Sequence, residues 1–196
     1  MYKIYWKKEI FTIPNLLSLF RLLLIPVYIV LYLKAETITD YIIAASILAV
    51  SCITDALDGQ IARRFNMISR VGKILDPIAD KFTQLTMVVC LAIKNPILWT
   101  LAGLLLAKEL FQLVGLCLLM RKGKMLNGAL MIGKICTTVL FTSFVVLVLF
   151  PNLDPTVITV ITVVDFILTA IAFIQYIKTY TTDNPMVVDI IQEDEK

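Results

Sequence analysis

The chain is written as long apolar runs separated by short polar punctuation. Six runs are of membrane-crossing length: Leu16–Leu33, Tyr41–Leu57, Asp76–Ile93, Ile97–Met120, Ala129–Phe150 and Val157–Ile177. Each predicts a helix of roughly 20 residues, enough to span hydrocarbon about 30 Å thick. The connections read KAETITD at 34–40, a basic segment at 59–74, Lys94-Asn95-Pro96, RKGKMLNG at 121–128 and Pro151–Pro155. Pro14 suits the first turn of the first helix. Ahead of it, residues 1–13 set Lys3, Lys7 and Lys8 among Tyr2, Tyr5, Trp6, Ile10 and Phe11. That is the pattern of an amphipathic segment lying on an anionic leaflet. Residues 182–196 turn polar and acidic, end QEDEK, and are expected to fray. No repeat is visible. The expectation is an all-α polytopic membrane protein: one integral-membrane domain over 1–196, with six transmembrane helices and an N-terminal interfacial segment.

Composition agrees. Apolar residues make up 59% of the chain, and the mean hydropathy is +0.88, above the range of soluble domains. No cleavable leader is expected, because the first apolar run continues into LIPVYIVLYL without a small-residue cleavage site. The net charge of +3 matters less than its placement. Lys3, Lys7, Lys8, Arg63, Arg64, Arg70, Lys73, Arg121, Lys122, Lys124 and Lys178 fall on one side of the predicted bundle, and Lys34 and Lys94 on the other. By the positive-inside rule both termini face the cytoplasm, in a plasma or inner membrane. The bilayer, and no nucleic acid, is the expected macromolecular partner. Cys52, Cys90, Cys117 and Cys136 all lie in apolar runs without a CxxC pair, so they read as small buried residues. The chain has no histidine, which excludes histidine acid–base and metal-ligand schemes.

The chemistry concentrates between Asp55 and Lys81, DALDGQIARRFNMISRVGKILDPIADK. Asp55 and Asp58 are spaced i, i+3, and Asp76 and Asp80 i, i+4, so on helices each pair shares a face. On a wheel at about 100° per residue, Asp55, Asp58, Gly59 and Ala62 form one stripe, and Gly72, Asp76 and Asp80 form another. Four carboxylates beside hydrocarbon are costly without cations. One reading is that they cap helices and pair with Arg63, Arg64, Arg70, Lys73 and Lys81. The other is a metal site. An all-carboxylate set suits hard ions such as Mg²⁺ or Mn²⁺. Two such ions, about 3.5–4 Å apart between facing stripes, could clamp a diphosphate. Arg63 adds a donor fork for phosphates.

Polar residues elsewhere extend the candidate site. Asn15, Ser18 and Arg21 share one face near the start of the first span. Arg21 sits two turns into an apolar helix, where a cation points to function unless it snorkels to the interface. Lys108 and Lys134 are intramembrane cations on the fourth and fifth spans, with Arg121 at the mouth of that helix pair. Together they could bind a small phosphorylated acceptor; alternatively Lys108 and the adjacent Glu109 form a closed ion pair.

The pattern Asp55-x2-Asp58-Gly59-x2-Ala62-Arg63-x8-Gly72-x3-Asp76-x3-Asp80 resembles the signature of the CDP-alcohol phosphotransferase family, with all eight residues at the family spacing. The resemblance implies attack of an alcohol on a CDP-linked lipid, CDP-diacylglycerol, forming a phosphodiester and releasing CMP. It implies Asp55, Asp58 and Asp76 as metal ligands, and Asp80 as general base that also touches metal. It implies CDP-lipid contacts at Gly59, Ala62, Arg63, Ser69 and Gly72. IPNLLSLFR, which carries Asn15, Ser18 and Arg21, is similar to the family segment lining the nucleotide-lipid pocket. A homodimer is also implied.

Within the family, IPNLLSLFRLLLIPV, LDPIADK and the Gly133-Lys134 stretch look like bacterial phosphatidylglycerophosphate synthases. Glycerol 3-phosphate is then the expected acceptor, bound by Lys108, Arg121 and Lys134. Two positions depart from that pattern: Lys108 stands where those enzymes usually carry Arg, and Cys136 where they carry a second lysine. Cardiolipin synthesis from phosphatidylglycerol is the alternative, followed by inositol-phosphate or serine acceptors. An ion-coupled transporter fits poorly, since transporters favour midplane sites and inverted repeats.

Overall fold

The computed structural model describes residues 13–64, 72–121, 124–126, 131–181 and 187–189. These form six helices and one short ribbon: α1 Ile13–Leu33, α2 Ile38–Arg64, α3 Gly72–Lys94, α4 Leu98–Arg121, β1 Lys124–Leu126, α5 Met131–Leu149, α6 Pro155–Thr181 and β2 Val187–Asp189. Among the described residues, four stretches are long and apolar enough to cross a membrane: Asn15–Leu33, Leu98–Leu119, Met131–Leu149 and Pro155–Thr181. Ile38–Thr54 adds a shorter apolar stretch within α2. The polytopic architecture therefore holds. The sixfold count of spans is not reached on these criteria. α3 carries Lys73, Asp76, Asp80 and Lys81 in its first turns, and the apolar part of α2 gives way to Asp55 and Asp58.

Boundaries differ from the sequence expectation in instructive places. α1 begins at Ile13, with Pro14 inside its first turn, where its missing N–H costs nothing. α2 does not stop at Leu57 but runs to Arg64. Gln60, Ala62, Arg63 and Arg64 are good helix formers and carry it past Gly59. The acidic tail is not wholly frayed. Val187–Asp189 pairs antiparallel with Lys124–Leu126, Met125 opposite Val188, so the all-α expectation needs this one small exception. The expected interfacial segment lies outside the described residues, apart from Ile13.

The chain divides into two compact units. The first holds residues 1–91 and 145–152. There α1 and α2 pack as a hairpin closed by a reciprocal cap: Thr37 N–H donates to Asp40 Oδ2 at 2.9 Å, and Asp40 N–H to Thr37 Oγ1 at 3.3 Å. α1 is polar and aromatic on its buried face (Asn15, Ser18, Arg21, Tyr28, Tyr32) and aliphatic on its exposed one (Leu16, Leu19, Leu23, Val27, Val30). That inversion is how a helix faces lipid. α2 offers Ala44, Ala45, Leu48 and Ser51 to the interior. The small side chains let the helices approach closely. Tyr32 stacks on Tyr28 at 5.6 Å and takes the edge of Tyr41 at 5.7 Å. α3 adds Ala79, Met87, Val88 and Leu91.

The second unit holds residues 92–144 and 153–196. α4 buries Leu98, Leu101, Ala102, Leu105, Lys108 and Glu109, a helical stripe that begins apolar and ends charged. α6 buries Thr162, Asp165, Thr169, Ala172 and Tyr176, while Val160, Val163, Val164, Ile167 and Ile171 point outward. Phe111 of α4 meets Phe173 and Tyr180 of α6 edge-on. Hydroxyls on these helices return to their own backbone, as Thr138 does to the Lys134 carbonyl at 2.9 Å and Thr162 to that of Ile158 at 2.7 Å. This satisfies them where there is no water to do so. α6 is capped by Asp154, which accepts from the Thr156 N–H at 2.8 Å. Hydrogen bonds from Thr156 hold this exposed carboxyl below the ordinary carboxylate range.

Candidate functional site

The backbone is helical at all four aspartates of the Asp55–Asp80 stretch, and at Gly59, Ala62, Arg63 and Gly72. Positions 55, 58, 59 and 62 therefore fall on one face of α2, and 72, 76 and 80 on one stripe of α3. The side chains at 55–63 and 72–77, and all of Ser69, lie outside the described residues.

Depth within the first unit follows from helix register. Leu24, Ile25 and Tyr28 of α1, Ile47, Leu48 and Ser51 of α2, and Thr83 and Thr86 of α3 surround one small cleft. Antiparallel continuation at about 1.5 Å per residue sets Arg21 level with Thr54–Asp55 and Ser18 level with Leu57–Asp58. α3 runs alongside α1, so Asp80 is level with Arg21 and Asp76 about 6 Å nearer the start of α1. Counted at this rise per residue, the four aspartate positions fall level with Ser18 and Arg21 within about 6 Å of helix length.

Asp80 is the aspartate of this group whose side chain is described. It is 56% exposed, and its Oδ1 accepts a hydrogen bond from an Arg21 terminal nitrogen within an ion pair. Arg21 itself is 2% exposed. It does not snorkel; it is buried against the carboxylate. Asn15 and Ser18 are also buried, so the three polar residues of α1 share the interior face that their spacing predicts.

In the second unit the three cations expected to act together occupy different surroundings. Lys108 is buried, and its Nζ lies 2.9 Å from Glu109 Oε1. That is the ion pair which adjacency in sequence allows. Arg121, at the end of α4, and Lys134, on α5, are exposed. The structure adds a residue that the sequence pattern alone did not single out. Asp165 is fully buried on α6, accepts from the Ser143 hydroxyl at 3.1 Å, and leaves Oδ2 without a hydrogen-bond partner among the described residues. One turn on, Thr169 Oγ1 lies 3.7 Å from Cys136 Sγ. Its signal is one carboxylate alone in a 27-residue apolar helix.

Comparison with known proteins matches residues 11–175 to the family model described as CDP-alcohol phosphatidyltransferase. A cardiolipin synthase (CMP-forming) of Streptomyces coelicolor is 37% identical over 144 residues, 72% of this chain and 66% of that protein. A cardiolipin synthase (CMP-forming)/mitochondrial hydrolase fusion protein of Schizosaccharomyces pombe is 39% identical over 104 residues, 53% of this chain and 17% of that one. The CDP-diacylglycerol–glycerol-3-phosphate 3-phosphatidyltransferase of Escherichia coli is 45% identical over 71 residues, 36% of this chain and 38% of that enzyme. In each case the chain spans less than two thirds of the relative's own length.

Proposed function

Because the chain belongs to the CDP-alcohol phosphatidyltransferase family, we propose that it transfers a phosphatidyl group from CDP-diacylglycerol to a glycerol hydroxyl in phospholipid synthesis. The acceptor oxygen forms a bond to the lipid-bearing phosphorus, the bond from that phosphorus to the diphosphate bridge breaks, and CMP leaves. The hydroxyl proton passes to Asp80. The observation that carries this reading is the layer of four aspartate positions on α2 and α3 with Asp80 held as the partner of Arg21. The family match runs through both compact units, which supports one catalytic domain.

Asp55, Asp58, Asp76 and Asp80 would hold Mg²⁺ or Mn²⁺, two ions in all. The donor set fits: carboxylate oxygens only, in a chain without histidine. The metal would supply charge neutralisation for the diphosphate and the departing CMP. Gly59, Ala62 and Gly72 leave room for the phosphates to come close to the backbone, and Arg63 offers them two parallel donors. Asn15, Ser18 and Ser69 complete the nucleotide-lipid pocket. The lysine and arginine asymmetry supports a cytoplasmic site and cytoplasmic termini.

Two acceptors present the required glycerol hydroxyl. Glycerol 3-phosphate is supported by likeness to the Escherichia coli enzyme, with Lys134 and Arg121, and Lys108 if it opens from Glu109, binding the phosphate. Phosphatidylglycerol is supported by the Streptomyces relative and by one feature of this chain. Lys108 is already neutralised by Glu109, which leaves fewer cations for a doubly charged phosphate. The test is to give purified protein CDP-diacylglycerol, Mg²⁺ or Mn²⁺ and each acceptor, and to identify the lipid formed. Phosphatidylglycerophosphate supports the first acceptor and cardiolipin the second. CMP release with neither product overturns both.

A further inference from the structure

We propose that Arg21 is a positioning residue for Asp80, and not a contact for the CDP-lipid. This rests on the reading of Asp80 as proton acceptor. Arg21 and Asp80 lie 59 positions apart in sequence, on α1 and α3, and are joined by an ion pair with a side-chain hydrogen bond. At 2% exposure the guanidinium presents almost no surface to a ligand. Asp80, at 56%, presents about half of its own. The pair is therefore arranged with the cation behind and the carboxylate in front.

That arrangement has a physical use. A buried cation without a partner is strongly destabilising, so Arg21 is obliged to hold a carboxylate. A guanidinium donates from fixed positions in one plane, whereas the donors of an ammonium rotate freely, so Arg21 sets the direction from which Asp80 Oδ1 is held. α1 is itself fixed against α2 by the edge contact of Tyr32 with Tyr41 and by the small buried side chains at Ala44 and Ala45. Leu24 and Thr83, one turn deeper, line the cleft beneath the pair. Arg21 thus transmits the position of the α1–α2 hairpin to one carboxylate of α3. A misplacement on the order of 1 Å can cost about 10²-fold in rate while substrate binding survives.

The experiment uses the full-length protein in detergent or vesicles, with Arg21→Gln, Arg21→Lys, Asp80→Asn and the Arg21→Gln/Asp80→Asn double variant. Kinetics are read separately as kcat and as KM for CDP-diacylglycerol. The expected result is that Arg21→Gln lowers kcat by about 10²-fold with KM nearly unchanged. Arg21→Lys should recover part of the loss, and the double variant should be no slower than Asp80→Asn alone. A raised KM at preserved kcat, or losses that multiply in the double variant, overturns the proposal. If Arg21→Gln does not fold, Arg21→Lys carries the same test: a fall in kcat at constant KM supports the proposal, and a rise in KM overturns it. Asp80→Asn with wild-type turnover would overturn the base assignment and this inference together. An inactive Asp80→Asn beside an Arg21→Gln that changes KM alone overturns this inference only.

Discussion

Lys108 and Glu109 are neighbours in sequence, yet their side chains close on each other at 2.9 Å, both nearly buried in α4. Adjacent helical residues point about 100° apart, so the contact needs the full reach of both side chains. Breaking a buried pair leaves one uncompensated charge, which costs about 3–5 kcal/mol, whereas replacing both with apolar residues is often neutral. Lys108→Met is expected to lower the denaturation midpoint sharply, and Lys108→Met/Glu109→Leu to recover most of it. Thermal or denaturant unfolding in detergent checks this. If the single variant is as stable as the parent, the pair is not a buried structural unit.

Gly133 and Tyr176 give a second prediction. A Cβ at 133 would stand 2.5 Å from the Tyr176 hydroxyl oxygen and 3.2 Å from the ring carbon bearing it. Gly133→Ala is expected to destabilise by about 1–3 kcal/mol, as overpacking does. Removing the hydroxyl in Gly133→Ala/Tyr176→Phe should restore part of that loss. The same melting curves decide it, and equal stability of Gly133→Ala and the parent would show that the tyrosine moves aside freely.

Binding and chemistry should separate within the aspartate layer. Asp80→Asn keeps shape but removes proton affinity, and is expected to lose about 10²–10⁴-fold in turnover while CDP-diacylglycerol still binds. Asp58→Asn removes a proposed metal ligand and should weaken metal-dependent binding of the same lipid. Paired titrations, one of CMP release and one of lipid binding at saturating Mg²⁺, compare them. Equal loss of binding in both variants would make Asp80 chiefly a ligand.

Activity should vanish in excess EDTA and return on adding Mg²⁺ or Mn²⁺, because an oxygen-only carboxylate set selects hard divalent ions. CMP release that continues undiminished in chelator would exclude the proposed cofactor.

The spacing of Asn15, Ser18 and Arg21 predicts one buried face, and the burial of all three bears that out. The helical backbone at the four aspartates follows from the good helix formers around them. The partner of Arg21 is not legible in the sequence, because nothing local links residues 21 and 80. Their meeting depends on how α1 and α3 pack, which no periodicity encodes. The extension of α2 past Leu57 is masked by Gly59, whose low propensity its neighbours outweigh. β1 and β2 are hidden for another reason: three-residue strands far apart in the chain carry no period long enough to read. Asp165 is legible as a lone charge in an otherwise apolar run, but its Ser143 partner comes from a different helix.

The inward stripe of α6 bears on how the protein is made. As it enters the bilayer, α6 is judged by its total apolar content, which is ample. Once inserted, it must hide Thr162, Asp165, Thr169 and Tyr176 from lipid, and hydrocarbon offers them nothing. Between those two moments the helix is adhesive, because polar side chains in a membrane associate with whatever polar partner is near. α5 directly precedes it along the chain, joined through the short Phe150–Asp154 link, and brings Ser143 and Cys136 to meet it. The brevity of that link limits the time α6 spends exposed. Lengthening it should favour aggregated over correctly assembled protein, even though no folded-state contact is altered.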